Sequence, residues 1–212
     1  SPLEGGEVFH GLRFVSIGRF YLLQGETLLV KLEGDDELMD QIKAEVTDGI
    51  LAIHYEAEDK DWAGLSWIGK EQRLTYYVTL QELSEIDLAG AGSIHGAKFT
   101  GESLALKHSG LGKLHLTDLQ FTDLDVNLGG LGEIRLTGEV QSQRVDLDGA
   151  GEYHAEALKS QYGDVVISGA GSARVWVENR LKAEISGAGN IKYKGSPSLD
   201  ETNTGLGSIK AL

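Results

Sequence analysis

Between Ile86 and Lys210 apolar and polar residues alternate with period two, and a Gly-x-Gly triplet breaks the alternation at near-constant intervals. The triplets start at Gly90, Gly110, Gly130, Gly149, Gly169, Gly187 and Gly205, so their first glycines lie 20, 20, 19, 20, 18 and 18 residues apart. Two residues before each triplet stand Leu88, His108, Leu128, Leu147, Ile167, Ile185 and Asn203; two residues after it stand Ile94, Leu114, Ile134, Tyr153, Ala173, Ile191 and Ile209. A period of two marks strands that bury one face. Each unit therefore reads as strand, glycine corner, strand, second corner. A strand pair this small cannot bury its inward face alone, whereas units stacked at about 4.8 Å per rung can. Hairpins would favour Asn-Gly or Asp-Gly turns and reverse the strand direction; here equivalent letters recur every 18 to 20 residues, which lays like on like. The pattern predicts an all-β protein, a right-handed parallel β-helix of about 20 residues per rung, its hand taken from the preference of parallel crossovers. The corner glycines are expected to permit a sharp bend, with positive φ as one route.

The first 89 residues are less regular. Phe14–Ile17, Phe20–Leu23, Thr27–Leu32, the segment ILAIHYE from Ile50 and RLTYYVTL from Arg73 read as strands. DDELMDQIKAEV, Asp35 to Val46, has apolar residues at helical spacing (Leu38, Ile42) behind an acidic start and predicts one short helix near the N-terminus. Glu56–Gln72 reads as a polar loop carrying Trp62 and Trp67. No composition break divides the chain, so residues 1–212 are expected to form one domain, with 1–89 as irregular first rungs and 90–212 as seven regular ones. The strand at Leu212 has no evident cap, which predicts a homo-oligomer or a covered end.

Composition narrows the function. With 33 acidic and 19 basic residues the formal charge is −14, which opposes nucleic-acid binding and simple docking on anionic membranes. Cysteine is absent, which removes disulfides and thiolate metal sites, and no apolar run is long enough for a transmembrane helix. The sequence starts at Ser1 rather than Met, the expectation being that processing or cloning has removed an N-terminal segment, with no signal or anchor segment visible in the sequence itself.

The stretches VTDGILAI, VTLQELSEIDLAGAGSI and the finish from SGAGNIKYKG to GLGSIK resemble the head GIN domain family, bacterial auto-transporter adhesins, over nearly the whole chain. The resemblance implies an exported, largely right-handed β-helix in the periplasm, outer membrane or cell surface, and brings no catalytic residues with it.

Three residues after each second glycine stand His95, His115, Arg135, His154, Arg174, Lys192 and Lys210, every one basic or able to become so. On a coil they form one outward column. Like charges in register are destabilising, so the column is either an anion-binding stripe, for an acidic or phosphorylated surface glycan, or one strand of an exposed network with Glu133, Glu152 and Glu156. The acid-rich composition favours the network. Trp62 and Trp67 are candidate contacts for a sugar ring or a protein partner, set against folding back over the coil. The paired acids Asp123/Asp125 and Asp146/Asp148 keep a carbohydrate-active lyase or hydrolase as the alternative, and a self-associating structural module is a third. No cofactor or metal motif is present: Ile134 stands where a calcium β-roll would need an aspartate, and His108 reads as a hydrogen-bonded core or corner histidine. The leading expectation is a non-enzymatic exported binding scaffold for an anionic glycan or a protein partner.

Overall fold

The computed structural model describes residues 8–56 and 73–212. Trp62 and Trp67 lie outside the described residues. In chain order the elements are β1 (Gly11–Val15), β2 (Ile17–Gln24), β3 (Leu29–Gly34), α1 (Asp36–Met39), β4 (Ile42–Thr47), β5 (Ile50–Tyr55), β6 (Leu74–Leu80), β7 (Glu85–Leu88), β8 (Ala91–Ala97) and β9 (Thr100–His108). Then follow β10 (Lys113–Leu128), β11 (Glu133–Leu147), β12 (Glu152–Ile167), β13 (Ser172–Ile185), β14 (Asn190–Lys194), β15 (Ser198–Asn203) and β16 (Ser208–Ala211). They build a parallel β-solenoid of about 6 turns at roughly 20-residue spacing.

The coil is two-sided. Strands entering each glycine corner form an incoming face: β5, β1, β7, β9, the second halves of β10 to β13, and β15. Strands leaving it form an outgoing face: β6, β2, β8, the first halves of β10 to β13, β14 and β16. Inward residues stack like on like. Ile86, Leu106, Val126, Val145, Val165 and Ala183 share one buried column; Ile94, Leu114, Ile134, Tyr153, Ala173 and Ile191 share another. Between them the hydroxyl of buried Tyr153 donates to the Gln143 side chain at 3.1 Å, and Gln143 donates to Ser160 at 2.8 Å, so these three polar groups partner one another within the core. The second bend of each turn falls where the register slips, and Lys98, Asp118 and Gly138, 20 residues apart, take φ of 64°, 55° and 130° there.

The glycine corners do not work through positive φ. Of all the corner triplets only Gly18, in an eighth corner formed by Ser16-Ile17-Gly18, has it. The regular corners are glycine because they touch. A Cβ on Gly110, Gly130, Gly149, Gly169, Gly187 or Gly205 would overlap the carbonyl oxygen of the first glycine in the preceding corner. That oxygen accepts the N–H of the next middle residue, Leu131 onto Gly110 at 3.2 Å and Ala188 onto Gly169 at 2.9 Å. The hydrogen-bonded approach of corner to corner leaves no room for a side chain.

The N-terminal part adds two details to the sequence reading. The helix is one turn, Asp36–Met39, capped by the Asp35 carboxylate. The segment from Ile42 is strand β4, pairing antiparallel with β5 because alternating Ile42, Ala44 and Val46 give it an apolar side to lay on the core. The first rungs are also out of sequence order. β1 is inserted between β5 and β7, and β2 between β6 and β8, all parallel. β3 and β4 then run antiparallel along the outer edges of β6 and β5, a reversal that ends the stack.

Candidate functional site

The outgoing face carries the basic column in register. His95 pairs with His115, His115 with Arg135, Arg135 with His154, His154 with Arg174, Arg174 with Lys192, and Lys192 with Lys210. The column extends the other way through Tyr21, Tyr77 and Lys31. These ten positions span roughly 40 Å at strand spacing, and none of the ten is an acid. Tyr77, Tyr21 and His95 stack at centroid distances of 5.6 and 5.7 Å, and the Lys31 ammonium stands 5.9 Å from the Tyr77 ring centre. Beside them Leu23, Leu29, Glu33 and Thr79 line a shallow depression of about 360 Å³.

The incoming face is built differently. There Asp125, Arg144, Asp164, Lys182 and Asp200 follow one another across the rungs, each charge beside its opposite. Arg13, Asp87 and Lys107 do the same. Alternation is how a charged sheet face ordinarily relieves repulsion, and the outgoing column forgoes it.

Relief comes partly from the flanks. Arg135 bonds Glu133 at 2.6 Å, His154 bonds Glu152 at 2.8 Å, and Glu156 lies 3.8 Å from Arg174. The hydrogen bond from Arg135 holds the Glu133 carboxyl below the usual carboxylate range. The three central members of the column thus belong to one network with the flanking acids; the arginine pairs are exposed and worth about 0–1 kcal/mol each, whereas the His154 side chain is buried. At one end Lys31 pairs with Glu33 at 2.5 Å, whereas among the described residues Lys192 and Lys210 at the other end, and His95 and His115 between Tyr21 and Arg135, take no ion pair. Burial, helped by His115 and Arg19, pushes His95 below the usual imidazole range.

The acid pairs serve the surface of the incoming face. Asp123 accepts the Ser142 hydroxyl and Asp146 the Arg144 guanidinium. His108 is buried, its Nε2 2.8 Å from the Gly112 carbonyl oxygen, with its ring in the space that Gly132 leaves by lacking a Cβ. Among the described residues no group of three or more His, Asp or Glu is placed to hold a metal ion, and no helix is long and apolar enough to cross a membrane.

Sequence reasoning missed Tyr21, Tyr77, Lys31 and Arg19. A signal for Tyr21 was present. Taking Ser16-Ile17-Gly18 as a degenerate corner puts Phe20 and Leu22 at the two inward offsets and Tyr21 at the ladder offset. Tyr77 and Lys31 reach the column through a partner strand read out of order and an antiparallel one, and neither carries a corner to count from.

A family model described as putative auto-transporter adhesin, head GIN domain, matches residues 8–197. No curated protein matches the chain. Among solved structures, a putative adhesin of Bacteroides fragilis is similar with a TM-score of 0.87 at 22% identity, covering 97% of this chain and 93% of that one. A putative lipid binding protein of Parabacteroides distasonis is similar at 0.74 and 23% identity, covering 100% and 95%. A putative adhesin of Parabacteroides merdae is similar at 0.72 and 18%, covering 100% and 95%. At these identities the likeness is one of fold.

Proposed function

The chain belongs to the head GIN domain family of putative auto-transporter adhesins, and from that premise we propose that it is an exported, non-enzymatic adhesion scaffold that binds an acidic glycan along its outgoing face. The observation that carries this reading is the acid-free column from Lys31 to Lys210 on a molecule of charge −14 whose other face alternates its charges. A glycan chain is itself a repeating polymer, and a ladder with one donor per rung offers it repeated contacts of modest strength that sum. The rigid stack of corners fixes the spacing of those donors. Of the paired carboxylates of the incoming face, Asp123 accepts the Ser142 hydroxyl and Asp146 pairs with Arg144, which favours a surface role for them over the enzymatic alternative.

The test is a glycan array probed with the purified chain and with a His115→Ser, Lys192→Ser, Lys210→Ser variant. The expected result is retention on uronic-acid or sulfated glycans that drops at least about tenfold in the variant. Equal retention by both proteins, or binding confined to neutral glycans, contradicts the proposal.

A second reading has one observation of its own. The middle residues of the corners are all apolar and line one edge of the coil, with Leu111, Leu131 and Leu206 55%, 66% and 92% exposed. A neighbour in fold is named a lipid binding protein, and such a ridge suits contact with a lipid surface. Co-sedimentation with zwitterionic vesicles that is lost in a Leu111→Ser, Leu131→Ser variant would favour this reading over the glycan.

A further inference from the structure

Arg19 on β2 is half-buried, and among the described residues its guanidinium has neither an ion pair nor a hydrogen bond. On a chain where acids outnumber bases 33 to 19, an unpartnered arginine needs an explanation. Its surroundings sharpen the point. Arg19 stands in register with Ser93 and, one strand further, Lys113. In the adjoining column Tyr21, His95 and His115 follow one another, the two imidazoles half-buried with ring centres 6.1 Å apart.

Every group facing His95 can be named. From β2 come Arg19, Tyr21 and Leu23; on its own strand stand Ser93 and Ala97; from β10 come Lys113, His115 and Thr117. No carboxylate is among them. Glu133, one rung beyond, is already bonded to Arg135 and lies 3.7 Å from Lys113. Of the four groups there able to carry positive charge, Lys113 has Glu133 nearby, while Arg19, His95 and His115 are held together, partly out of water, without a counter-ion, an arrangement that disfavours charging them all until an anion arrives.

We propose that Arg19, His95 and His115 form the seat for one anionic group of an acidic polysaccharide, a carboxylate or a sulfate ester, and that seating it protonates an imidazole. The proposal rests on the outgoing face being the glycan-binding face and deepens that reading. Arg19 supplies a permanent charge and a planar fork of donors matched to such a group. The Tyr21 ring closes one side of His95 and directs the anion toward His115. In the free protein burial, together with His115 and Arg19, disfavours the charged form of the His95 imidazole. A bound anion offsets that repulsion and raises the imidazole's proton affinity. Binding therefore takes up a proton, and affinity rises as pH falls through the imidazole range.

The experiment measures binding of polygalacturonate and, separately, dextran sulfate to the full chain at about pH 7.5 and about pH 5.5, with neutral dextran as control. The wild type should bind several-fold more tightly at the lower pH. His95→Gln with His115→Gln should keep most of the affinity at the higher pH and lose the gain, and Arg19→Gln should weaken binding at both. Preference for one polymer identifies the anionic group as carboxylate or sulfate. An equal gain in the double glutamine variant would mean that the acid effect is general charge neutralisation, which overturns the seat but leaves the binding face standing. Binding of neither polymer at either pH overturns both. Imidazole proton resonances add a readout independent of retention: with polymer bound, the His95 titration should move to higher pH, and an unmoved titration in a polymer-binding protein also overturns the seat.

Discussion

At the scale of single residues, the corners show that one letter can be required for two different reasons. Gly129 and Gly130 are neighbours, yet only Gly130 presses on a carbonyl, that of Gly110, while a Cβ on Gly129 would meet the movable end of the Asp148 side chain at 3.1 Å. Gly130→Ala should therefore cost about 3 kcal/mol by overpacking, and Gly129→Ala should be near neutral. Chemical denaturation of the two variants checks this, and equal losses would mean that crowding is not what selects glycine. His108 makes a second prediction. Burial pushes its imidazole down from the ordinary range, so between the lowered native value and the unfolded value of about 6.5 the unfolded chain binds more protons. The stability tied to His108 is thus fully present above about pH 6.5 and is lost as pH falls below it. Replacing His108 with Leu, the residue above and below it in its column (Leu88 and Leu128), should flatten the fall in denaturation midpoint between about pH 6.5 and pH 5. An unchanged slope would assign the acid sensitivity elsewhere.

At the scale of elements, β1 and β2 hold the two parts of the molecule together. β5 and β6 make no ladder with β7 and β8; each pairs instead with β1 or β2. Phe14, Phe20 and Tyr76 cluster across this seam, Phe20 stacking on Tyr76 at 4.1 Å and meeting Phe14 edge-on at 4.0 Å. Phe20→Ala should cost about 3–5 kcal/mol locally. In hydrogen exchange it should deprotect β3 to β6 while β11 to β13 stay protected, and uniform deprotection would mean that the coil unfolds as one unit. The seam also marks where the sequence stopped being readable. The regular rungs were legible because crowding forces the same glycine at each corner and the buried columns force alternation around it. The insertion was not legible, since strand partners far apart in sequence leave no local mark when one corner reads Ser16-Ile17-Gly18. The helix read within Asp35–Val46 forms but stops after one turn for a related reason: Leu38 and Ile42 fit a helical period, but the free edge of β5 offered Ile42, Ala44 and Val46 a partner, and tertiary pairing outweighed local spacing.

At the scale of the whole molecule, the solenoid turns a sequence repeat into two faces of opposite electrostatic design. Seven of the ten ladder positions could be read from the offset rule alone; the other three and Arg19 were harder to read, because Tyr21 and Arg19 follow the degenerate corner Ser16-Ile17-Gly18 on inserted β2, Tyr77 lies on β6 and Lys31 on antiparallel β3. In the centre of the column Arg135 pairs with Glu133 and His154 with Glu152, and the unpaired members, His95 and His115 on one side and Lys192 and Lys210 on the other, are where an anion has most to gain. The central claim is that the outgoing face, and not overall charge, binds acidic glycan. It is tested most directly by comparing polygalacturonate binding isotherms of two charge-matched variants: Lys192→Glu with Lys210→Glu on the outgoing face, and Arg144→Glu with Lys182→Glu on the incoming face. The account predicts that the outgoing pair abolishes binding while the incoming pair, of identical net charge, stays within about twofold of the parent. Equal weakening by both pairs, or loss only with the incoming pair, would contradict it.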